Sequence, residues 1–101
     1  MPSPRPSRAA LGRVVRELRT ERRLTIEGLA AAAGMHPTYL SGIEHGLRNP
    51  SWDKLCELAI ALNVRLSEIV LRAEQLEEQS QADPGNQVGP RGVAGPPPRR
   101  G

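Results

Sequence analysis

Apolar residues along this chain recur at three- and four-residue intervals, the spacing that gathers side chains on one face of an α-helix. Leu11, Val14, Val15 and Leu18 form the first such stripe, and Ser7 stands where its hydroxyl can cap a helix from Arg8 to about Arg22. Leu24 bridges to a shorter block, in which Thr25 caps a helix over Ile26 to about Ala33 and Ala30 is small enough for close helix packing. Gly34 falls at the following turn, where a positive φ suits glycine, and Met35 can seal that turn. Pro37 then occupies a first helical position, where its missing N–H costs no hydrogen bond. Leu40 and Ile43 mark the inward side of this third helix, leaving Pro37, Thr38, Ser41, Gly42 and His45 outward. The loop Leu47-Arg48-Asn49-Pro50 ends it, because Pro50 biases Asn49 away from helical geometry. Ser51 caps a fourth helix to about Leu62, with Trp52, Leu55, Leu58, Ala59 and Leu62 expected inward. Leu66, Ile69, Ala73 and Leu76, widened by Val70, predict a fifth helix from Leu66 to about Gln79.

Five short helices predict an all-α domain over residues 8–79, preceded by a flexible arm (1–7) and followed by a Pro/Gly-rich segment (80–101). That last segment holds ten Pro or Gly among 22 residues and too little apolar surface to offset the entropy of ordering, so it is expected to be disordered. Composition agrees with the helical reading. With one Trp, one Tyr and no Phe in 101 residues, the core must be built from Leu, Ile, Val and Ala. Neither a membrane span nor the apolar stretch of a secretory signal is present, and a lone Cys56 excludes an intrachain disulfide. The cytoplasm is the expected location.

Charge is unevenly spread. Residues 1–50 carry eight Arg against four Glu, residues 51–80 carry three basic against six acidic groups, and the remainder adds +2 to reach the overall +3. A basic N-terminal half suits a surface that meets a polyanion.

Thr25 to Gly46, TIEGLAAAAGMHPTYLSGIEHG, has the layout of a helix-turn-helix, whose second helix is built to enter the major groove of DNA. Thr38 and Ser41 can hydrogen-bond to several bases, Thr38 can offer its methyl to thymine, and Gly42 allows a close approach. His36 can meet a phosphate or cap the helix.

At these residues the chain resembles the Cro and phage-repressor (XRE) family. The blocks LGRVVRELRTERRLT, GLAAAAG, TYLSGIEHG, RNPS and LCELAIALNV follow in the family's order and spacing. The resemblance implies a compact five-helix, lambda-repressor-like fold and sequence-specific binding of double-stranded DNA at a palindromic operator by a small dimeric transcriptional regulator. Taken with the outward face of the third helix, it makes Thr25, His36, Pro37, Thr38, Tyr39, Ser41, Gly42, Arg48 and Asn49 the candidate DNA contacts, and it implies an ion pair between Arg19 and Glu44. TYLSGIE followed by Arg48-Asn49 is similar to the restriction-modification controllers within the family. The chain departs from the family at Ile26, usually Gln; at Gly28, often Glu; and at Pro37.

Neither a zinc-ligand spacing nor a catalytic motif links His36, His45, Cys56 and Ser41, so no enzymatic role, metal or cofactor is expected. The apolar stripe of the fifth helix, continuing to Leu76, predicts a homodimer interface there. Ile26, Gly28 and Pro37 leave a protein-interaction module open as an alternative, as does an antitoxin that binds both DNA and a toxin.

Overall fold

The structure, a computed structural model, describes residues 5–82. Five helices follow one another: α1 (Arg8–Glu21), α2 (Ile26–Ala32), α3 (Pro37–Glu44), α4 (Trp52–Leu62) and α5 (Leu66–Ala82). The all-α expectation holds over these residues. Residues 1–4 and 83–101, parts of the predicted arm and tail, lie outside the described residues. Residues 80–82, counted with the tail from sequence, continue α5.

Local chemistry sets the boundaries. Ser7, Thr25 and Ser51 each accept, on the side-chain oxygen, the backbone N–H of the residue three places on, at 3.0, 2.9 and 3.1 Å. Gly34 and Gly46, at φ of 68° and 75°, turn the chain out of α2 and α3 in the left-handed region. The following N–H groups close each end: Met35 donates to Ala30 O at 2.9 Å and Leu47 to Gly42 O at 2.8 Å.

Val14, Val15 and Leu18 of α1 are fully buried in one core with Leu29, Leu40, Leu58, Leu62 and Ile69, and α1 packs on α3, α4 and α5, so it is the central column. Complete burial of such side chains contributes about 1.5–3 kcal/mol each. α5 runs along α1 and is tied to both its ends. Ser7 N–H donates to Glu77 Oε1 at 3.0 Å, and Arg72 bridges Glu21 and Glu68 at 3.3 and 3.0 Å. The exposed Arg72 ion pairs add little energy, on the order of 0–1 kcal/mol each, but all these contacts mark the register of the pair.

α1 also meets α3 at closest range. A Cβ on Gly12 would collide with the Ile43 carbonyl oxygen and stand 2.8 Å from that of Glu44. Gly12 therefore seats α1 directly on the C-terminal backbone of α3. Beside this seat Arg19 Nε donates to Glu44 Oε2 at 2.7 Å and its Nη2 to Oε1 at 3.1 Å, while Nη1 reaches Leu24 O at 2.8 Å. The Glu44 side chain is 2% exposed and that of Arg19 14%. The hydrogen bond to Glu44 raises the already high pKa of Arg19 against the opposing effect of burial. The pair expected from sequence is thus a buried fork that locks the end of α3 to α1.

Two expectations about packing need correction. Trp52, expected inward, is 67% exposed: it is the first residue of α4, and burial along that helix fades from Leu58 through a half-buried Leu55 before the helix begins. Leu76, expected at a dimer interface, is half-buried against the core because α5 accompanies α1 this far. Leu71, at 53% exposure, is the apolar residue that α5 presents to solvent. No helix among the described residues is long and apolar enough to cross a membrane.

Removing one member of the buried pair leaves the other charge uncompensated. Glu44→Ala should destabilise the domain by about 3–5 kcal/mol, whereas the double change Arg19→Met with Glu44→Leu should cost far less. Denaturant midpoints of the two variants check this. Equal losses would mean that the pair acts through shape rather than charge.

Candidate nucleic-acid interface

The outward side of α3 begins at His36, whose Nδ1 accepts the Thr38 N–H at 3.1 Å. Capping, one of the two roles open to this residue from sequence, is present in this geometry. Pro37 follows at the first helical position, as expected. Thr38 is exposed, while Ser41 and Gly42, one turn further, are half-buried. Tyr39 is half-buried with its ring against the core. His45 is turned back onto the helix, its Nδ1 donating to Ser41 O at 2.8 Å. Thr25 is exposed at the start of α2, where its hydroxyl is engaged by Gly28.

Gly42 has a purpose that the sequence did not reveal. A Cβ there would stand 2.6 Å from Cγ of Arg48, so the aliphatic stem of Arg48 lies across α3 at this residue. The N–H groups of Leu47 and Arg48 both donate to Gly42 O, at 2.8 and 3.1 Å, which folds the 46–49 loop back onto the helix. Stem and loop together hold the Arg48 guanidinium beside the exposed side of α3. Asn49, also exposed, comes next.

The structure therefore brings Thr38, Ser41, Gly42, Arg48 and Asn49 to α3 and the loop that returns along it. Thr25 and His36 are occupied in capping, and Tyr39 is partly committed to the core. Two arginines missed from sequence join the edge of this surface. Arg5 and Arg8 line one concavity with Asn49, because Ala9 packs on the backbone at Gly46, where a Cβ would lie 3.1 Å from Ala9 Cα. That adjacency joins residues about forty positions apart and leaves no local pattern in the sequence.

Electrostatics separates the arginines into two sets. Arg13, Arg19, Arg22 and Arg72 each face a carboxylate within 4 Å. Arg5, Arg8, Arg16, Arg23, Arg48 and Arg65 form no such pair among the described residues, and of these only Arg65 follows α4. The basic charge left unmatched is thus concentrated before α4. Lys54, by contrast, is spent on structure: its Nζ donates to Gly34 O at 3.0 Å and pins α4 to the turn between α2 and α3.

The chain belongs to the helix-turn-helix family, whose model matches residues 15–69. An uncharacterised transcriptional regulator of this type from Sinorhizobium fredii is 40% identical over 68 residues, 67% of this chain and 88% of that protein. Among solved structures, the restriction-modification controller protein C.AhdI from Aeromonas hydrophila is 37% identical with a TM-score of 0.61, covering 61% of this chain and 94% of the controller. SinR, a master regulator for biofilm formation whose structure was solved in complex with DNA, is 32% identical with a TM-score of 0.56, covering 58% of this chain and 95% of SinR.

Gly42→Ala should displace Arg48 from α3 while leaving the fold intact, since alanine favours a helix by roughly 0.5–1 kcal/mol over glycine. Nitrogen relaxation of the Arg48 side chain should report greater mobility in the variant. An Arg48 as ordered as before would mean that its stem does not rest on Gly42.

Proposed function

We propose that this protein regulates transcription as a homodimer that grips a palindromic stretch of double-stranded DNA, with α3 of each protomer in the major groove. DNA-binding regulation rests on the family match, on the regulator from Sinorhizobium fredii and on the likeness to DNA-bound SinR. The observation that carries the finer reading is α3 itself, seated by its C-terminal end on α1, with Thr38 exposed near its start and the stem of Arg48, which pairs with no acid among the described residues, lying at Gly42. Thr38 and Ser41 would read base edges, Gly42 would admit the Arg48 stem, and Arg48 and Asn49 would fix the register on phosphate. Thr25, His36, Pro37 and Tyr39 would line the approach of the backbone. Such a protein works in the cytoplasm and needs neither catalysis nor a cofactor.

The departures from the family pattern have local reasons in this fold. Ile26 is half-buried against the core, and a Cβ at Gly28 would stand 3.1 Å from Thr25 Oγ1. Pro37 serves the start of α3. DNA-binding regulation is preferred to the interaction module and the antitoxin on the family match and the regulators the chain resembles.

Dimerisation would use the outward side of α5. Leu71 is exposed there beside a half-buried Val70, and an apolar residue so placed suits a twofold contact. A pair built this way would set two copies of α3 about one helical turn, ~34 Å, apart along the duplex.

Selection from a random duplex pool should enrich a palindrome whose half-sites are one turn apart. Thr38→Ala and Ser41→Ala should relax base preference, and Leu71→Glu should yield a folded monomer by sedimentation equilibrium with weakened duplex affinity. No enrichment by the wild type would refute sequence-specific binding. A wild type monomeric at high micromolar concentration would remove the α5 interface.

A further inference from the structure

We propose that Arg5 and Arg8, with the side-chain amide of Asn49, form a second anion grip that takes a DNA backbone phosphate at the flank of the site presented by α3. This rests on the duplex-binding reading above and adds residues to it. The three side chains share one open concavity of about 480 Å³, lined also by Pro6 and Ser7. Its two sides come from segments distant in sequence, the residues leading into α1 and the loop leaving α3.

What holds them together is backbone packing. Ala9 lies against Gly46, and a Cβ at Gly46 would stand 3.1 Å from Ala9 Cα and 3.3 Å from its nitrogen. Ser7 is fixed from both sides: its hydroxyl caps Ala10 N–H at 3.0 Å, and its own N–H donates to Glu77 Oε1 at 3.0 Å. Pro6 restricts φ between Arg5 and Ser7. Arg5 and Arg8 consequently stand on an anchored stretch beside Asn49.

Charge points to the ligand. Both arginines are exposed, and neither pairs with a carboxylate among the described residues. The Glu77 carboxylate is turned to the Ser7 amide and does not line the concavity. Two planar guanidinium forks and an amide donor match the tetrahedral oxygens of a phosphodiester. The source is a DNA phosphate because Asn49, on the wall of the concavity, directly follows Arg48, whose stem lies on α3 within the proposed groove-reading surface. A duplex seated on α3 and the 46–49 loop carries its backbone past the start of α1.

The test compares the full chain with Arg5→Gln/Arg8→Gln on the duplex enriched from the random pool. Each arginine that meets a phosphate contributes about 0.9 to the salt slope, so the wild-type advantage should shrink roughly tenfold between about 50 and 200 mM salt. Base preference and denaturation midpoint should stay unchanged. Ethylation of one phosphate at the flank should block wild-type binding and become neutral for the double variant, and for Asn49→Ala as an independent second variant. If the wild type binds its duplex and the variants match it in salt slope and ethylation pattern, the grip is overturned while the duplex reading stands. A wild type that binds no duplex overturns the duplex reading, and the grip with it.

Discussion

The backbone contact between α1 and the C-terminal end of α3 is the constraint on which the rest of this structure depends. At Gly12 there is no room for a methyl group above the Ile43 and Glu44 carbonyl oxygens, so α3 has one resting place on α1. The Arg19–Glu44 fork fixes rotation about that contact, since two parallel hydrogen bonds to one carboxylate tolerate little twist. Gly46 repeats the close approach one step later against Ala9. These neighbouring contacts make α3 a rigid projection from α1 rather than one helix loosely gathered among five.

That rigidity has an electrostatic consequence. Acidic side chains neutralise the arginines that position the helices, Arg19 with Glu44 and Arg72 with Glu21 and Glu68. The arginines that face no acid among the described residues include Arg48, held on α3 by Gly42, and Arg5 and Arg8, held beside Asn49 by the packing at Gly46. At these three positions the free charge is thus placed by the same packing that orients α3. A surface of this kind attracts a polyanion before any base is read.

Much of the fold was legible because its signals are local. Ser7, Thr25, Gly34, Pro37 and Ser51 each act within a few residues of themselves, and the structure places every one of them at the helix end its chemistry implies. The Arg19–Glu44 pair was legible through the family resemblance rather than through spacing. What failed was the extent of burial. Trp52 and Leu76 both continue an apolar periodicity, yet periodicity says nothing about where a neighbouring helix stops. Trp52 therefore overhangs the core, and Leu76 stays within it. Within the candidate site, the outward residues of α3 followed from periodicity, whereas the support of Arg48 by Gly42 and the nearness of Arg5 to Asn49 follow from close backbone approaches that join separate segments.

The central claim is that α3 and the loop folded back on it meet the duplex. Amide chemical shifts of the labelled protein, followed during titration with its selected duplex, test this most directly. Large shifts should appear at residues 36–42 and 46–49, with those of Leu58 and Leu62 in the core nearly still. Shifts confined to α4 and α5, or none at saturating duplex, would contradict the account.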